Sequence, residues 1–453
     1  MLDVINPATG QIIHQFPWCD DHSLEQKLNH AAQSYPQWRA LSFTERAEYL
    51  RKVAIALRDN RQLHSALMTA EMGKPVVEAL GEVEKSASGC EHYADHAEHY
   101  LAPQDIASDA EKSWVQFLPL GTVLGILPWN SPYWLATRVF APALMAGNTV
   151  IIKHDSHVPG CAQALEQAFA DAGVPKGVFQ TVIADHNATE KMIRDPRISA
   201  VSFTGSTTGG SKVAAIAASE IKPAVLELGG SDPAIVLADA DIDKAVDVLA
   251  TSRFICAGQS CIAAKRLLIE DSIYAEFIEK FSTRLAGLKV GDPTQANTDI
   301  GPIARSQLRD VLHDQVTRSI AAGANCLMGG QIPSGPGSFY PVTLLTDVPL
   351  DAAAFTEETF GPIAALRAVK DIDEAFAIAN DTAYGLGASI WTESKRGAQL
   401  AVRFEAGQVA INGIVKSDPR LPSGGIKRSG YGKELGPHGI REFVNAQQVW
   451  QGK

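Results

Sequence analysis

The segment Ala257–Arg266, AGQSCIAAKR, presents one thiol, Cys261, between a Gly-Gln-Ser approach and a run of small residues. A structural cysteine behaves as a small hydrophobe and packs among larger ones. A nucleophilic cysteine needs open space and a field that favours the thiolate. The small, polar neighbours of Cys261 fit the second case. A second candidate is Glu227, which VLELGGSDP places in an otherwise apolar, Gly-rich run. Desolvation there raises a carboxyl pKa, which suits a general base, although a carboxylate bonded to backbone at a domain junction fits the same residues. A third is Asn130 in GILPWNSPYW. Its amide is a donor for an oxyanion, or plain turn chemistry between Pro128 and Pro132.

Other residues are suited to holding an anion. SFTGSTTGG joins a strand to a helix, and Gly205, Gly209 and Gly210 let backbone approach a ligand at a helix N-terminus. It is neither a G-x-G-x-x-G fingerprint nor a P-loop, and a tight βα turn fits it equally well. Lys153 closes the strand TVIIK, where open α/β sheets bind ligands, or where a lysine simply reaches water. EETFGP, Glu357 to Pro362, reads as a loop with two carboxylates, an aromatic ring and a Gly-Pro turn. His92, His96 and His99 share a helical spacing that can bind metal, but their segment is polar throughout and reads as a solvated face. No metal site is expected.

These residues need a scaffold. The first hundred residues read mainly as helix, clearest in SFTERAEYLRKVAIALRDN. There Ser42 and Glu45 form a capping box, and Leu50, Val53, Ala54 and Leu57 share a face. SWVQFLPLGTVLGIL reads as two strands turning at Pro119 to Gly121. Strands then alternate with helices as far as Glu227, and the alternation restarts at PAIVLADAD. That rhythm implies parallel sheets covered on both faces, and two successive α/β units imply a cleft between them. The last thirty residues read as Gly-rich loop followed by a strand, AQQVW.

The chain has 453 residues, long enough for about three domains. It is 45% hydrophobic and 20% charged, as soluble globular proteins are, with a net charge of −11. An acidic surface argues against nucleic acid as partner. No signal peptide or membrane span is legible, so a cytosolic protein is expected. Six scattered cysteines fit reduced thiols rather than a disulfide framework.

Taken in order, PWNSP, IIK, FTGST, LELGG, GQSC, EETFGP and PSGGIKRSGYGKELG resemble the aldehyde dehydrogenase superfamily over essentially the whole chain. The resemblance implies an α/β fold: a Rossmann-type cofactor domain, an α/β catalytic domain and a small β oligomerisation arm. The expected boundaries are 1–107 and 124–227 for the first, 228–415 for the second, and 108–123 with 416–453 for the arm. It also implies a homodimer or homotetramer. By the same resemblance Cys261 is the nucleophile, Glu227 the base and Asn130 the oxyanion donor. Trp129, Lys153, Ser156, Gly205, Ser206, Gly229, Glu358 and Phe360 line the cofactor. The implied reaction runs through a thiohemiacetal and a thioester to the acid, with NAD+ or NADP+ accepting a hydride.

Cofactor and substrate rest on a few positions. Many NAD-preferring relatives have a glutamate where this chain has Ser156. A serine does not repel a 2′-phosphate, while nearby Asp155 favours NAD+, so use of both cofactors is expected. Arg138 in YWLATRVF resembles the arginine of succinate-semialdehyde dehydrogenases. A guanidinium in the tunnel would pair with the carboxylate of a short aldehyde acid, with Ser417 assisting. Ile255 stands where those enzymes often carry a second arginine, and Arg253 lies two residues earlier. Ile262, Ala263 and Ala264 follow the nucleophile, so no local disulfide switch is expected. Succinate semialdehyde is the expected substrate. Glutarate semialdehyde, a general aldehyde, a CoA-acylating reaction and a non-catalytic member of the family are the alternatives.

Overall fold

The computed structural model describes residues 1–453. It opens with a hairpin, Leu2–Ile5 against Ile12–Phe16, turned by Asn6, whose side chain accepts from Ala8 N at 2.8 Å. Helices Asp21–Ala40, Phe43–Asp59, Arg61–Met72 and Val76–Tyr100 follow. The Ser42 capping box is present in both directions, and Leu50, Val53, Ala54 and Leu57 are buried as their spacing requires.

The first βα series forms a six-stranded sheet. Its strands, in spatial order, are Gly430–Tyr431, Ala224–Glu227, Ile198–Thr204, Thr122–Leu127, Thr149–His154 and Phe179–Thr181. All pair in parallel except Gly430–Tyr431. Alternate residues go to opposite faces: Val123 and Val150 pack with Phe140, while Leu124, Ile151 and Val201 pack with Leu28 and Met192. Both faces are therefore apolar, as a covered parallel sheet demands. The outer strand comes from the late Gly-rich stretch that the sequence reads as loop. Gly430 has φ 114°, and a side chain there would run into the Leu226 carbonyl, so only glycine permits this pairing.

The second series forms a seven-stranded sheet in the order Asn325–Met328, Thr343–Thr346, Ile363–Val369, Ala264–Glu270, Asp232–Val236, Gly387–Trp391 and Gln408–Ile411. Only Asn325–Met328 is antiparallel to its neighbour. A third, three-stranded antiparallel sheet joins Val444–Gln451, Lys112–Pro119 and Gln104–Asp105. No helix is long and apolar enough to cross a membrane.

The candidate residues lie where the two large sheets meet. Asn130, Lys153, Gly205 and Glu227 sit at or just beyond the carboxyl ends of strands in the six-stranded sheet. That is the ligand-binding edge of an open α/β sheet. Cys261 comes from the other sheet, just before Ala264–Glu270.

Candidate active site

Asn130 precedes the helix Pro132–Ala146, which is buried at every position. Ser131 caps that helix with no side-chain bond. Glu82 does so instead, accepting from Tyr133 N at 3.0 Å and Trp134 N at 3.1 Å. Glu82 is itself paired with buried Lys74, whose ammonium also donates to Ser131 Oγ at 3.3 Å. A carboxylate at a helix N-terminus is favoured by the dipole, and its pairing removes an uncompensated buried charge. This network fixes the turn carrying Asn130. The Asn130 amide then donates to Gln259 O at 3.0 Å, two residues before Cys261.

The loop leading to Cys261 is a left-handed turn. Cys256, Ala257 and Gly258 have φ of 54°, 53° and 72°. The first two are not glycine, so this backbone carries strain and is held by its surroundings. Glu78 accepts from Cys256 N at 2.8 Å. The Gln259 amide donates to Cys256 O at 3.1 Å and accepts from Ala304 N at 2.9 Å. Arg253, fully buried, donates to Gly258 O at 3.2 Å and to Gly361 O at 2.7 Å. It therefore ties this loop to the Glu357–Pro362 loop. Gly258 lies against the Gly361 carbonyl, leaving no room for a side chain.

Cys261 itself is half-buried. Its low-dielectric setting pushes the thiol up to about 11, against the pull of Lys265 and Arg138. At neutral pH the resting group is a thiol. Lys265 is buried and donates to Ser260 O at 2.9 Å and Cys261 O at 2.7 Å. It thus places positive charge beside Cys261 and fixes its backbone.

Glu227 ends its strand, and burial pushes its carboxyl up to about 7, opposed by Arg138 and reinforced by Glu434. Arg138 Nη2 donates to Glu227 Oε2 at 2.9 Å and to Ser423 Oγ at 3.4 Å, while Nε pairs with Glu434. Burial works against the guanidinium charge, but the two carboxylates outweigh it and hold its pKa above the usual value. Arg138 is 4% exposed, which rules out a surface helix position.

The cofactor candidates gather along the same edge. Gly205 N donates to Glu227 O at 3.0 Å, and Ser206 caps the helix Thr207–Ser219 by accepting from Gly209 N at 3.1 Å. No acidic side chain occupies that helix's first turn, so its remaining N–H groups are available to a phosphate. Lys153 is half-buried, makes no ion pair, and is lowered by burial against the pull of Asp155 and Asp185. Ser156 is half-buried beside it. Asp155 is occupied: it accepts from His157 N at 3.0 Å and contacts His157 Nδ1 at 2.6 Å, with Arg305 at 3.8 Å. Burial works to raise this carboxyl, and His157 and Arg305 more than reverse the effect. Glu358 accepts from Gly230 N at 3.0 Å, lies 3.8 Å from Lys265, and crowds Gly229. Phe360 meets Trp129 edge to face at 5.8 Å. An uncompensated half-buried lysine and an open helix N-terminus fit a phosphorylated dinucleotide.

Arg253 and Ser417 sit differently from the residues around Arg138. Arg253 spends its donors on backbone carbonyls of Gly258, Thr359 and Gly361 and ties those loops together. Ser417 is buried in the late loop, and the serine bonded to Arg138 is Ser423. His92 and His96 stack at 4.4 Å, and no cluster of side chains has metal-binding geometry. Glu434, Ser423, Lys265 and Glu82 were not singled out from sequence. Glu434 lies inside the quoted GKELG segment, but its type and spacing do not announce a partner so far away along the chain.

Comparison with known proteins agrees with this geometry. Residues 1–449 match the model of the aldehyde dehydrogenase family. The chain is 48% identical over 450 residues to a protein of Synechocystis sp. named probable succinate-semialdehyde dehydrogenase, NADP(+), covering 99% of each. It is 44% identical over 448 residues to the Escherichia coli succinate semialdehyde dehydrogenase Sad, NAD(P)+, covering 99% of this chain and 97% of that one. Among solved structures it is similar to a succinic semialdehyde dehydrogenase of Streptococcus pyogenes in complex with NADP+, at TM-score 0.97 and 34% identity, with 100% of each chain covered. The chain belongs to the aldehyde dehydrogenase family.

Proposed function

We propose that this protein oxidises succinate semialdehyde to succinate with NADP+, and also accepts NAD+. The observation that carries the substrate reading is Arg138, a buried guanidinium on the same carboxylate cluster as the candidate base. Its Nη1 has no protein acceptor, leaving a donor for the far end of a short aldehyde acid. The relatives named above support the same substrate and both cofactors. NADP+ is further supported by Ser156 and by Asp155 being engaged with His157 and Arg305.

The residues divide the chemistry as follows. Cys261 loses its proton to solvent, its sulfur bonds to the aldehyde carbon, and the thioester forms when that carbon gives up its hydrogen as hydride. The Asn130 amide and the Cys261 N–H hold the oxyanion; loss of one such donor costs about 3 kcal/mol. The dinucleotide, held by Lys153, Ser156, Gly205, Ser206, Gly229, Glu358 and Phe360 beside Trp129, supplies the hydride acceptor. Glu227 takes a proton from the water that hydrolyses the thioester. The six-stranded sheet serves the cofactor, the seven-stranded sheet presents the nucleophile, and the three-stranded sheet joins subunits of a cytosolic homo-oligomer. Ser417 remains a candidate contact for the substrate carboxylate.

Absorbance at 340 nm provides the test. We expect kcat/KM for succinate semialdehyde to exceed that for butanal by about 100-fold or more, the scale of a lost buried charge pair. Equal values for the two aldehydes would overturn the substrate reading and leave a general aldehyde dehydrogenase.

A further inference from the structure

Arg138 has two protein carboxylates, and they are held very differently. Glu434 is anchored: it accepts from Ser202 Oγ at 3.2 Å, and its backbone exchanges hydrogen bonds of 2.8 and 2.7 Å with Ser423. The backbone of Glu227 is held too, by Gly205 N and by strands on both sides, but its side chain has no counterpart to the Ser202 bond. Its Oε2 bonds only Arg138, and its Oε1 is buried without any partner. Arg138 therefore has one fixed partner and one that can be exchanged.

A third carboxylate arriving at this guanidinium meets two others, and mutual repulsion falls on whichever is least tied. That one is Glu227. The same Glu227 is the candidate base for the water at the thioester. We infer that the substrate's own carboxylate takes the place of Glu227 on Arg138, and that this displacement releases the base for thioester hydrolysis. The inference rests on the reading of Arg138 as the substrate-carboxylate site. It makes Arg138 a positioning residue for the second half-reaction as well as a binding residue for the first. In the released state Glu227 takes a proton from water. The water oxygen bonds to the thioester carbon, and the C–S bond breaks with its electron pair going to Cys261. The sulfur then recovers the proton from Glu227, so acid and thiol are the products.

An aldehyde without a carboxylate leaves Glu227 on Arg138. Propanal should therefore give a fast burst of NADPH, close to one per site, followed by slow turnover limited by hydrolysis. Propanal and formate together supply the atoms of the longer substrate in two pieces. Formate should raise the steady rate of propanal oxidation several-fold, saturably, and shrink the burst; chloride at equal ionic strength should not. A linear time course with propanal, or a steady rate that formate leaves unchanged or lowers, overturns the inference.

Arg138→Met separates the inference from the reading it rests on. Loss of the preference for succinate semialdehyde, with propanal turned over faster than by the wild type and without a burst, supports both. Loss of the preference with the propanal burst intact leaves the binding reading standing and overturns the release. An unchanged preference overturns both. A gain of rate cannot come from misfolding, and the formate experiment uses the unaltered enzyme.

Discussion

Cys261 and Glu227, the proposed nucleophile and base, both start in their neutral forms more readily than free side chains do. Burial raises the thiol to about 11 and the carboxyl to about 7. For Glu227 the ionised form dominates only above about 7, so the proposed hydrolysis should be lost as pH falls through that value. For the nucleophile, the reactive thiolate is a minor species at neutral pH and grows about tenfold per pH unit below its pKa. Alkylation of the free enzyme by iodoacetamide should therefore accelerate steadily from pH 7 to beyond pH 9. A plateau below pH 8 would show a resting thiolate and contradict this environment. Residue types found both groups, because a thiol among small neighbours and a carboxyl in an apolar run are local patterns. Glu434 could not be found that way. Its importance comes from contact with Arg138 and Ser202, which only the fold brings to it.

Among the elements, what was legible again followed the range of the interaction. The Ser42–Glu45 box spans one helical turn and could be read directly. The cap on Pro132–Ala146 comes from Glu82 on another helix, and the sequence around Ser131 gives no hint of it. The same limit explains Arg253. It stands near the expected second arginine position, yet the turn through Cys256 and Ala257 makes it a brace between loops. Its guanidinium meets carbonyls of Gly258, Thr359, Gly361 and Ile363 with no carboxylate in contact. Burial therefore depresses its pKa to about 9. Replacing it by methionine removes those donors and strands buried carbonyls, a loss of at least about 3 kcal/mol. Arg253→Met should unfold at a clearly lower temperature in a thermal melt. It should also bind the dinucleotide more weakly, since the Glu358 loop loses its tie. An unchanged melting temperature would show that the carbonyls find other donors.

For the molecule as a whole, the three-stranded sheet raises a question that neither large sheet answers. Val444–Gln451 is an outer strand, paired on one side to Lys112–Pro119 along its full length and open on the other. An open edge of this length is a template for another chain, and isolated monomers usually blunt such edges. Here the edge strand carries Trp450, 53% exposed. That apolar side chain does nothing for a lone subunit. A chain ended after Phe443 keeps the Asn148 to Phe443 O bond of 2.9 Å and the buried Phe443 ring, so both large sheets keep their packing. Light scattering on that shortened protein should give a smaller assembly than the full chain, with its circular dichroism retained. An unchanged mass would mean that the edge strand is not the joint between subunits. Monomeric full-length protein would mean that no such joint forms. The active-site residues described above all come from one chain, so the smaller assembly should still show the NADPH burst with propanal. Dependence of that burst on subunit contact would then reflect how firmly the Gly430–Tyr431 strand, just upstream of the arm, stays paired beside Glu227.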